Sequence, residues 1–166
     1  AFANQPRIVQ WNLARFAETL IPLMGDDTER AVYLLTEAAK QFSSTYQEYW
    51  LGGMRAKIGL TNAEDGDLEL VNELLAAMEK SGADFTLVFR RLSRAVLGDV
   101  SAARRFFDDP TSFNIWADHW RLRVQREKVA PEMRARRMDQ INPAYIPRNH
   151  KVEEALAAAV DREDMG

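Results

Sequence analysis

Residues 84–98 read Asp-Phe-Thr-Leu-Val-Phe-Arg-Arg-Leu-Ser-Arg-Ala-Val-Leu-Gly, and their pattern decides the fold class. The stretch opens on an aspartate that can cap a helix and closes on a glycine that can end one. It is therefore predicted to form an amphipathic α-helix. Its apolar side chains recur at the spacing of one helix face: Phe85, Val88, Phe89, Leu92 and Val96.

The same helical period continues on both sides of this stretch, and no segment shows a convincing period of two. The sequence therefore predicts an all-α fold, an irregular bundle of about seven or eight helices in one domain over residues 1–166. The predicted helices cover roughly residues 4–24, 27–58, 67–80, 84–97, 102–107, 113–129 and 131–141, with a last one after residue 150.

The period also predicts which side chains face the core. The first helix is predicted to bury Val9, Leu13, Phe16, Ala17, Leu20 and Met24. The third helix, capped by Asp65 or Asp67, is predicted to bury Leu68, Val71, Leu74, Leu75 and Met78. The helix that begins at Pro131 is predicted to bury Met133, Met138 and Ile141.

The longest predicted helix contains the pair Gly52-Gly53. Each glycine inside a helix costs about 1 kcal/mol relative to alanine. The apolar phase continues across the pair, which favours one continuous helix with a neighbour packed closely against the glycines. A hinge at the pair is the alternative.

Composition limits the classes of function. The 166 residues carry a net charge of −3, with 28% charged and 46% apolar residues, which is ordinary for a globular protein. The lack of cysteine excludes disulfides, cysteine-ligated zinc and thiol catalysis within this sequence, and it fits a cytoplasmic location. No apolar run approaches the length of about 18 residues that a membrane helix needs. No secretory signal is recognisable, so no membrane partner is predicted.

Two places invite a metal ion, and neither has a complete set of ligands. Residues 61–72 place glycine at the sixth position of a calcium loop but lack the required side chains at its first, third and twelfth positions. His150 and Glu154 lie one helical turn apart, without a third ligand at a matching spacing. A capped helix start is therefore predicted for residues 62–67, and a packing or hydrogen-bonding role for His119. No metal-binding residue is predicted.

A basic run in the second half of the chain has the charge to neutralise phosphates. Helical spacing distributes these cations around two helices, and Trp116 and Trp120 fall on an apolar face, so they are not available for stacking on bases. A solvated surface, or arginines that hold carboxylates elsewhere in a larger protein, is favoured over nucleic-acid binding. The run comprises Arg121, Arg123, Arg126, Lys128, Arg134, Arg136 and Arg137.

The sequence lacks the common motifs of nucleotide binding and nucleophilic catalysis. It contains neither of the glycine-rich phosphate motifs G-x-x-x-x-G-K and G-x-G-x-x-G, and no G-x-S-x-G nucleophile elbow. No catalytic residue and no cofactor-binding residue is predicted in this chain.

One rigid interruption separates the last two predicted helices. Residues 142–150 read Asn-Pro-Ala-Tyr-Ile-Pro-Arg-Asn-His, and their prolines fix φ and remove backbone donors. The segment is therefore predicted to be extended. We expect Tyr145, Arg148 and Asn149 to tie the last helix to the bundle through hydrogen bonds.

Four stretches, in this order, resemble the selenoprotein O family, whose members have a kinase fold and act as protein adenylyltransferases. They are Ala3–Pro6 running into Trp11–Ala14, Met54–Leu60, Asp84–Thr86 with Phe89–Ser93, and Asn142–His150. The likeness covers essentially the whole chain and departs from the common family form at Ala144 and Pro147. The motif positions expected to have a structural or contact role are Asn142, Tyr145, Arg148, Asn149 and His150.

The resemblance implies the C-terminal, all-helical part of a kinase-like C-lobe in a longer protein. Such a protein transfers AMP from ATP to Ser, Thr or Tyr hydroxyls of proteins, assisted by Mg²⁺. In the family, the phosphate-binding, catalytic and metal-binding residues lie upstream of the stretch matched by Asn4–Pro6. The chain is therefore expected to be an excerpt that is inactive alone, with the upstream lobe and protein substrates as partners. The alternative is a stand-alone helical module that binds through its arginine-rich helices, for example to nucleic acid.

Overall fold

A computed structural model describes residues 4–162, which form eight α-helices and one short 3₁₀-helix. The 3₁₀-helix is Ile21–Leu23, and the α-helices are α1 Gln5–Leu20, α2 Thr28–Lys57, α3 Asp67–Lys80, α4 Phe85–Val96, α5 Ser101–Arg104, α6 Thr111–Gln125, α7 Pro131–Ile141 and α8 Asn149–Arg162. The predicted all-α class is confirmed, because residues 4–162 contain no strand. Ala3, which opens the first family-like stretch, lies outside the described residues.

Contacts along the chain divide it into two compact units, residues 1–54 and 55–166. The first unit holds α1, the 3₁₀-helix and most of α2, and the second holds the end of α2 and all later helices. The prediction of a single domain over residues 1–166 stays a prediction. None of the helices in the described part of the chain is long and apolar enough to cross a membrane.

The first unit leaves most of the predicted apolar face of α1 uncovered. Pro6 lies in the first turn of α1, where its missing N–H costs nothing, and α1 forms where it was predicted. However, Val9, Leu13, Phe16 and Met24 are 41%, 38%, 60% and 43% exposed, so the prediction that they are buried is wrong for the described chain. Helical period identifies an apolar face, but it does not say what covers that face.

The long helix α2 runs without interruption through Gly52 and Gly53, as predicted. Its first turn is capped by Asp27, whose carboxylate accepts the backbone N–H of Arg30 at 2.9 Å. The prediction that a neighbour packs closely against the glycine pair is wrong, because a Cβ added to either glycine would meet no described atom within 4 Å. The two glycines are therefore not explained by packing within the described chain.

A ladder of four aromatic rings forms the core of the second unit. Consecutive ring centroids are 4.6, 5.6 and 5.2 Å apart in the order Phe107, Phe113, Trp116 and Trp120. The indole N–H of Trp116 donates to the Leu70 carbonyl at 2.9 Å, and that of Trp120 donates to the Ile58 carbonyl at 2.8 Å. Because both buried indoles have an acceptor, the ladder fixes α6 against α3 and against the loop after α2 without an unpaired donor.

Helix α4 follows the prediction closely. The Asp84 carboxylate accepts the backbone N–H of Leu87 at 2.9 Å, as the predicted cap requires. Val88 and Leu92 are buried on the predicted face. Phe85 was also predicted to face the core, but it is 47% exposed. Its place at the first position of the helix turns its ring toward the edge of the buried face.

Helix α3 buries Val71, Leu74 and Met78 as predicted, but its first turn differs from the prediction. Leu68 is 44% exposed, whereas Leu70 is buried. The N-cap residue is Gly66, in place of the predicted Asp65 or Asp67, so no side chain caps the helix. The physical reason is that Asp67 is itself buried. Helix α3 therefore turns inward the face that contains this carboxylate, and the next residue, Leu68, turns outward.

Helix α7 buries a charged residue where apolar ones were predicted. Met138 is fully buried, but Met133 and Ile141 are 52% and 42% exposed, so the predicted face is correct at one of its three positions. Arg134 and Ala135 are buried in their place. The pattern of apolar residues missed this orientation because an ion pair, described below, sets it.

Gly59→Ala is expected to destabilise the second unit. Gly59 has φ +80°, and an added Cβ would lie 2.6 Å from Met138 Sδ and 3.1 Å from Arg134 Cγ. Left-handed strain and overpacking together predict a loss of about 2–4 kcal/mol in the free energy of unfolding, measured by urea titration. Gly66→Ala is the matched control, because Gly66 has φ +88° with no described atom within 4 Å of a Cβ. Equal losses in the two variants would contradict the packing argument.

Candidate functional site

A buried carboxylate at the start of α3 binds two arginines. Asp67 is 1% exposed, and its Oδ1 accepts the Nε–H of Arg123 at 2.7 Å. Its Oδ2 accepts the Nε–H of Arg55 at 2.7 Å and the backbone N–H of Glu64 at 2.9 Å. An isolated ion at this depth would be costly, so the burial of Asp67 depends on these partners.

A second buried carboxylate, Glu127, lies just after α6. It accepts the backbone N–H groups of Thr61 and Asn62, each at 2.9 Å, and the Nη1–H of Arg134 at 2.9 Å. Arg123 Nη1 also reaches Glu127, at 3.3 Å, and thereby bridges the two buried carboxylates. We call Asp67, Glu127 and the arginines bound to them the buried ion network.

Both carboxyl groups of the network stay ionised. Burial raises the pKa of Asp67, but hydrogen bonds led by that from Arg123 outweigh it, and the net effect holds the pKa below its ordinary value. Burial likewise raises the pKa of Glu127, and the bonds from the Asn62 amide and from Arg134 outweigh it, so this pKa is also lowered. The lowered pKa values favour the ionised carboxylates, so the network pairs opposite charges above the ordinary carboxyl range.

The network clamps the loop of residues 58–67. Arg134 Nη1 donates to the Gly59 carbonyl, and Arg123 Nη2 donates to the Asn62 carbonyl at 2.7 Å. Together with the indole and carboxylate bonds described above, side chains around α6 and α7 satisfy donors and acceptors along the loop backbone. The loop is thus held in one shape without regular secondary structure.

Asn142 joins three elements at the end of α7. Its side chain is almost fully buried, and its Nδ2–H donates to the Lys57 carbonyl at the end of α2 at 2.8 Å. Lys57 Nζ donates back to Asn142 Oδ1 at 3.3 Å, and Arg90 Nη1 of α4 donates to the Asn142 carbonyl at 3.0 Å. We call this set the Asn142 junction.

The ammonium of Lys57 lies beside two aromatic rings. Its Nζ is 5.8 Å from the ring centroid of Phe85 and 5.6 Å from that of Phe89, both on α4. Burial lowers the pKa of Lys57. The rings and the Asn142 amide therefore hold a partly desolvated cation at the place where α2 ends.

Three of the four family-like stretches meet at this junction. Lys57 comes from the second stretch, Arg90 from the third, and Asn142 opens the fourth. A further contact joins the third and fourth stretches, since Arg148 Nη2 donates to Asp84 Oδ2 at 2.7 Å. Side chains from the stretches that carry the resemblance thus connect the ends of α2, α4 and α7 within the second unit.

The remaining positions of the fourth stretch lie on the surface. Tyr145 is 92% exposed, and Asn149 and His150 begin α8 as exposed residues. Glu154, which faces His150 one turn along α8, pairs with Lys151 at 2.7 Å. Of the residues expected to tie the last helix to the bundle, Arg148 makes an ion pair. The roles of these positions in the whole protein stay predictions.

The basic run is divided between the interior and the surface. Arg123 and Arg134 are 5% and 2% exposed, so the expectation of a solvated surface is wrong for these two. The alternative expectation placed the bound carboxylates elsewhere in a larger protein, but for these two arginines they are Asp67 and Glu127 of this chain. Arg121 and Arg126 are exposed and pair with surface carboxylates at 3.0 and 3.1 Å.

Two smaller predictions have different outcomes. His119 lies on the surface of α6 with its Nδ1 3.0 Å from Glu73 Oε2, which agrees with the hydrogen-bonding role predicted for it. The helix start predicted at residues 62–67 is found, since α3 begins at Asp67, but the predicted cap is wrong: the N-cap residue is Gly66, and the Asp67 carboxylate is buried in the ion network.

Comparison with known proteins decides the family. The family profile described as "Protein adenylyltransferase SelO" matches residues 1–166. The chain belongs to the SelO family. The protein named "Protein nucleotidyltransferase YdiU" of Rhizobium rhizogenes is 49% identical to it over 167 residues. Proteins of the same name are 46% identical in Rhodopseudomonas palustris and 47% identical in a Bradyrhizobium species.

The relatives are about three times as long as this SelO-family chain. Each of the three alignments covers 99% of the chain and 33% or 34% of the relative. The chain therefore spans about a third of the length of the curated relatives it matches. The resemblance stated from the four stretches is confirmed at the level of the family.

Two arginines of the basic run in this SelO-family chain are already bound within the chain. The guanidinium groups of Arg123 and Arg134 are bound by buried carboxylates and are not free to bind phosphate. Residues 4–162 also contain no group of three histidine or carboxylate side chains placed to hold a metal ion. What this site does chemically is positional: it fixes the 58–67 loop and the ends of α2, α4 and α7.

The sequence contained a partial signal for the network. Glu127 follows Arg123 by four residues, the spacing of one helix face, and it interrupts an otherwise basic run. Asp67 directly follows a glycine, Gly66, and in the structure this glycine has φ +88° at the turn into α3. Neither feature shows burial by itself, so the pairing of Asp67 with Arg123 was missed.

Glu127→Gln is expected to lower the free energy of unfolding by about 3–5 kcal/mol. The change removes the negative charge that balances the buried guanidinium groups of Arg134 and Arg123. Urea titration measures the loss. Asp118→Asn is the matched control, since Asp118 pairs with Arg121 on the exposed side of α6, and it should cost at most about 0.5 kcal/mol. A loss for Glu127→Gln as small as that of the control would contradict the network.

The network also predicts a pH dependence. The folded-state pKa values of Asp67 and Glu127 lie below their unfolded values, so their stabilisation is complete above the ordinary carboxyl range. It is lost as the pH falls through that range toward the lowered folded-state values. We expect urea titrations at decreasing pH to give a shallower acid decline for Glu127→Gln than for the unchanged chain. An identical decline in both would exclude Glu127 as a source of this stability.

Proposed function

We propose that this chain is the helical part of an enzyme that transfers AMP from ATP to serine, threonine or tyrosine hydroxyls of proteins, assisted by Mg²⁺. The family description, which names a protein adenylyltransferase, supports this proposal, as do the relatives named as protein nucleotidyltransferases. The chain corresponds to about a third of such a protein. Its own contribution is to support the part that binds the nucleotide, which belongs to the remaining two-thirds of the polypeptide.

The observation that carries this division of labour is the apolar surface of the first unit. In residues 4–54 only Ala31 and Met54 are buried hydrophobic residues. Exposed large apolar side chains in this number indicate that another protein part covers much of this unit. They are Ile8, Val9, Trp11, Leu13, Phe16, Leu23, Met24, Val32, Tyr33, Leu34, Tyr46 and Tyr49.

The first unit also has room for a side chain of its partner. Residues of α1 and α2 line an apolar groove of about 340 Å³, and small side chains such as Ala14, Ala17 and Ala39 leave it open. An aliphatic or aromatic side chain from the remaining polypeptide would bury its surface there. The length of the relatives supports that polypeptide as the partner over a second copy of the chain.

Nucleic-acid binding gains no support as a second function. Trp116 and Trp120 are each 1% exposed, so α6 offers neither indole for stacking on a base. Four of the seven cations in the basic run pair with carboxylates of this chain.

The proposal is tested with a chimera in which this chain replaces the matching third of the Rhizobium rhizogenes relative. We expect the chimera to transfer label from ATP labelled in its α-phosphate to a protein acceptor. The chain alone should transfer none and should bind ATP·Mg²⁺ more weakly than micromolar in calorimetry. Transfer by the chain alone would show that its own residues are catalytic and would overturn the proposed division of labour.

The apolar face is tested by Trp11→Glu combined with Phe16→Glu. Both side chains are more than half exposed, so in the chain alone the double variant should reduce self-association, as measured by light scattering. In the chimera it should lower AMP transfer at least about tenfold, because two buried carboxylates would oppose docking. Arg7→Glu, an exposed change on the same helix, is the control and should leave both readouts unchanged. A fully active double-variant chimera would exclude this face as the docking surface.

A further inference from the structure

The C-terminal segment is held to the second unit by very little. We call residues 143–162 the C-terminal arm: it comprises the proline-containing segment and α8. Residues 143–157 are all exposed, and none of the described side chains of α8 is buried. The apolar stripe of α8, Val152, Leu156 and Val160, is 42%, 60% and 78% exposed. Apolar burial therefore contributes little to the position of the arm.

One ion pair takes the place of packing. Arg148 Nη2 lies 2.7 Å from Asp84 Oδ2, and it is the side-chain bond that joins the arm to the rest of residues 4–162. Both partners already contact water, since their side chains are 43% and 30% exposed. Exposed ion pairs of this kind shift an equilibrium by about two- to fivefold. Closed and open positions of the arm are therefore expected to coexist.

The residue before the arm is fixed, in contrast to the arm itself. Asn142 is buried and bonded to Lys57 and Arg90, as described for the Asn142 junction. Pro143 follows directly and has a fixed φ, and Pro147 stiffens the segment that leads to α8. Because Pro143 has a fixed φ and also restricts the ψ of Asn142, rotation is left mainly to Ala144 and Tyr145, between the two prolines.

Opening leaves no buried polar group without a partner. Asp84 uses Oδ1 to accept the Leu87 N–H and Oδ2 to accept Arg148, so the cap of α4 stays in place when Arg148 leaves. The released carboxylate oxygen and guanidinium become hydrated. The contact can therefore be made and broken without disturbing α4.

We propose that the C-terminal arm is a latched strap that pivots at Ala144 and Tyr145, between its two prolines, and is held closed by the ion pair between Arg148 and Asp84. In the closed position the apolar stripe of α8 has a fixed direction relative to α4. In the open position its direction varies. Salt screens an exposed ion pair, so the latch responds to ionic strength. This inference is independent of the reaction that the whole protein catalyses.

The test uses the absence of native cysteines, which allows two spin labels to be placed without interference. Arg94→Cys on α4 and Ala157→Cys on α8, both exposed positions, carry the labels in the otherwise unchanged chain, which is mixed with an excess of unlabelled chain so that only distances within one molecule are measured. Pulsed electron resonance then gives the distribution of distances between them. We expect a narrow closed population and a broad open one, with NaCl at ~0.5 M shifting the ratio toward open.

Three variants assign the latch. Arg148→Ala should lower the closed-to-open ratio about two- to fivefold and remove its response to salt. Asp84→Asn should do the same, because asparagine still caps α4 but carries no charge. Lys151→Ala is the matched control: it also removes a cation from the arm, but Lys151 pairs with Glu154 inside α8. It should leave the ratio unchanged.

Two outcomes would overturn the proposal. A single narrow distance that is insensitive to Arg148→Ala and to salt would show that the arm is rigid. A single broad distribution that is insensitive to both would show that the ion pair does not hold the arm.

Discussion

The second unit depends on the guanidinium of Arg123, which is shared between two buried carboxylates. It donates hydrogen bonds to Asp67 at the start of α3, to Glu127 after α6 and to the carbonyl of Asn62 in the 58–67 loop. Each of these groups is costly to bury alone and becomes tolerable only in the presence of the others. For this reason α3, α6, α7 and the 58–67 loop form one interdependent structure, in which no element can shift without leaving a buried charge unpaired.

Much of the fold could be predicted because its signals are local. Helical period and caps located every helix to within a few residues, and Asp84 caps α4 as its position in the sequence indicated. The orientation of the helices was less predictable. The period marks an apolar face, as at Phe16, but burial also requires a partner, and for α1 the described chain supplies little of one. In α7 the buried charge of Arg134 sets the orientation, and in the first turn of α3 the buried Asp67 leaves Leu68 exposed; a count of apolar residues cannot detect either effect.

The candidate site could be predicted only in part. The family-like stretches directed attention to Asn142 and Arg148, and both make contacts that hold the second unit. Their partners were not predictable, because Lys57 is 85 residues from Asn142 in the sequence and Asp84 is 64 residues from Arg148. Spacing rules apply within one helix, whereas these pairs arise from the way that helices come together. The same limit hid the ion network, whose members looked like an ordinary cap and an ordinary basic surface.

The clamped 58–67 loop has a consequence for how the chain folds during synthesis. Its partners come late: Arg123 lies 56 residues after Asp67, and Arg134 lies 75 residues after Gly59. When the loop leaves the ribosome, its carboxylate and amides form hydrogen bonds with water. These bonds to water persist until α6 and α7 have been synthesised. Contacts of such long sequence separation slow folding, because the chain loses the entropy of loop closure before the stabilising bonds can form. The first unit, with its uncovered apolar face, thus exists for a time beside an unfinished second unit, and this interval is when the nascent chain is most open to aggregation or to a chaperone.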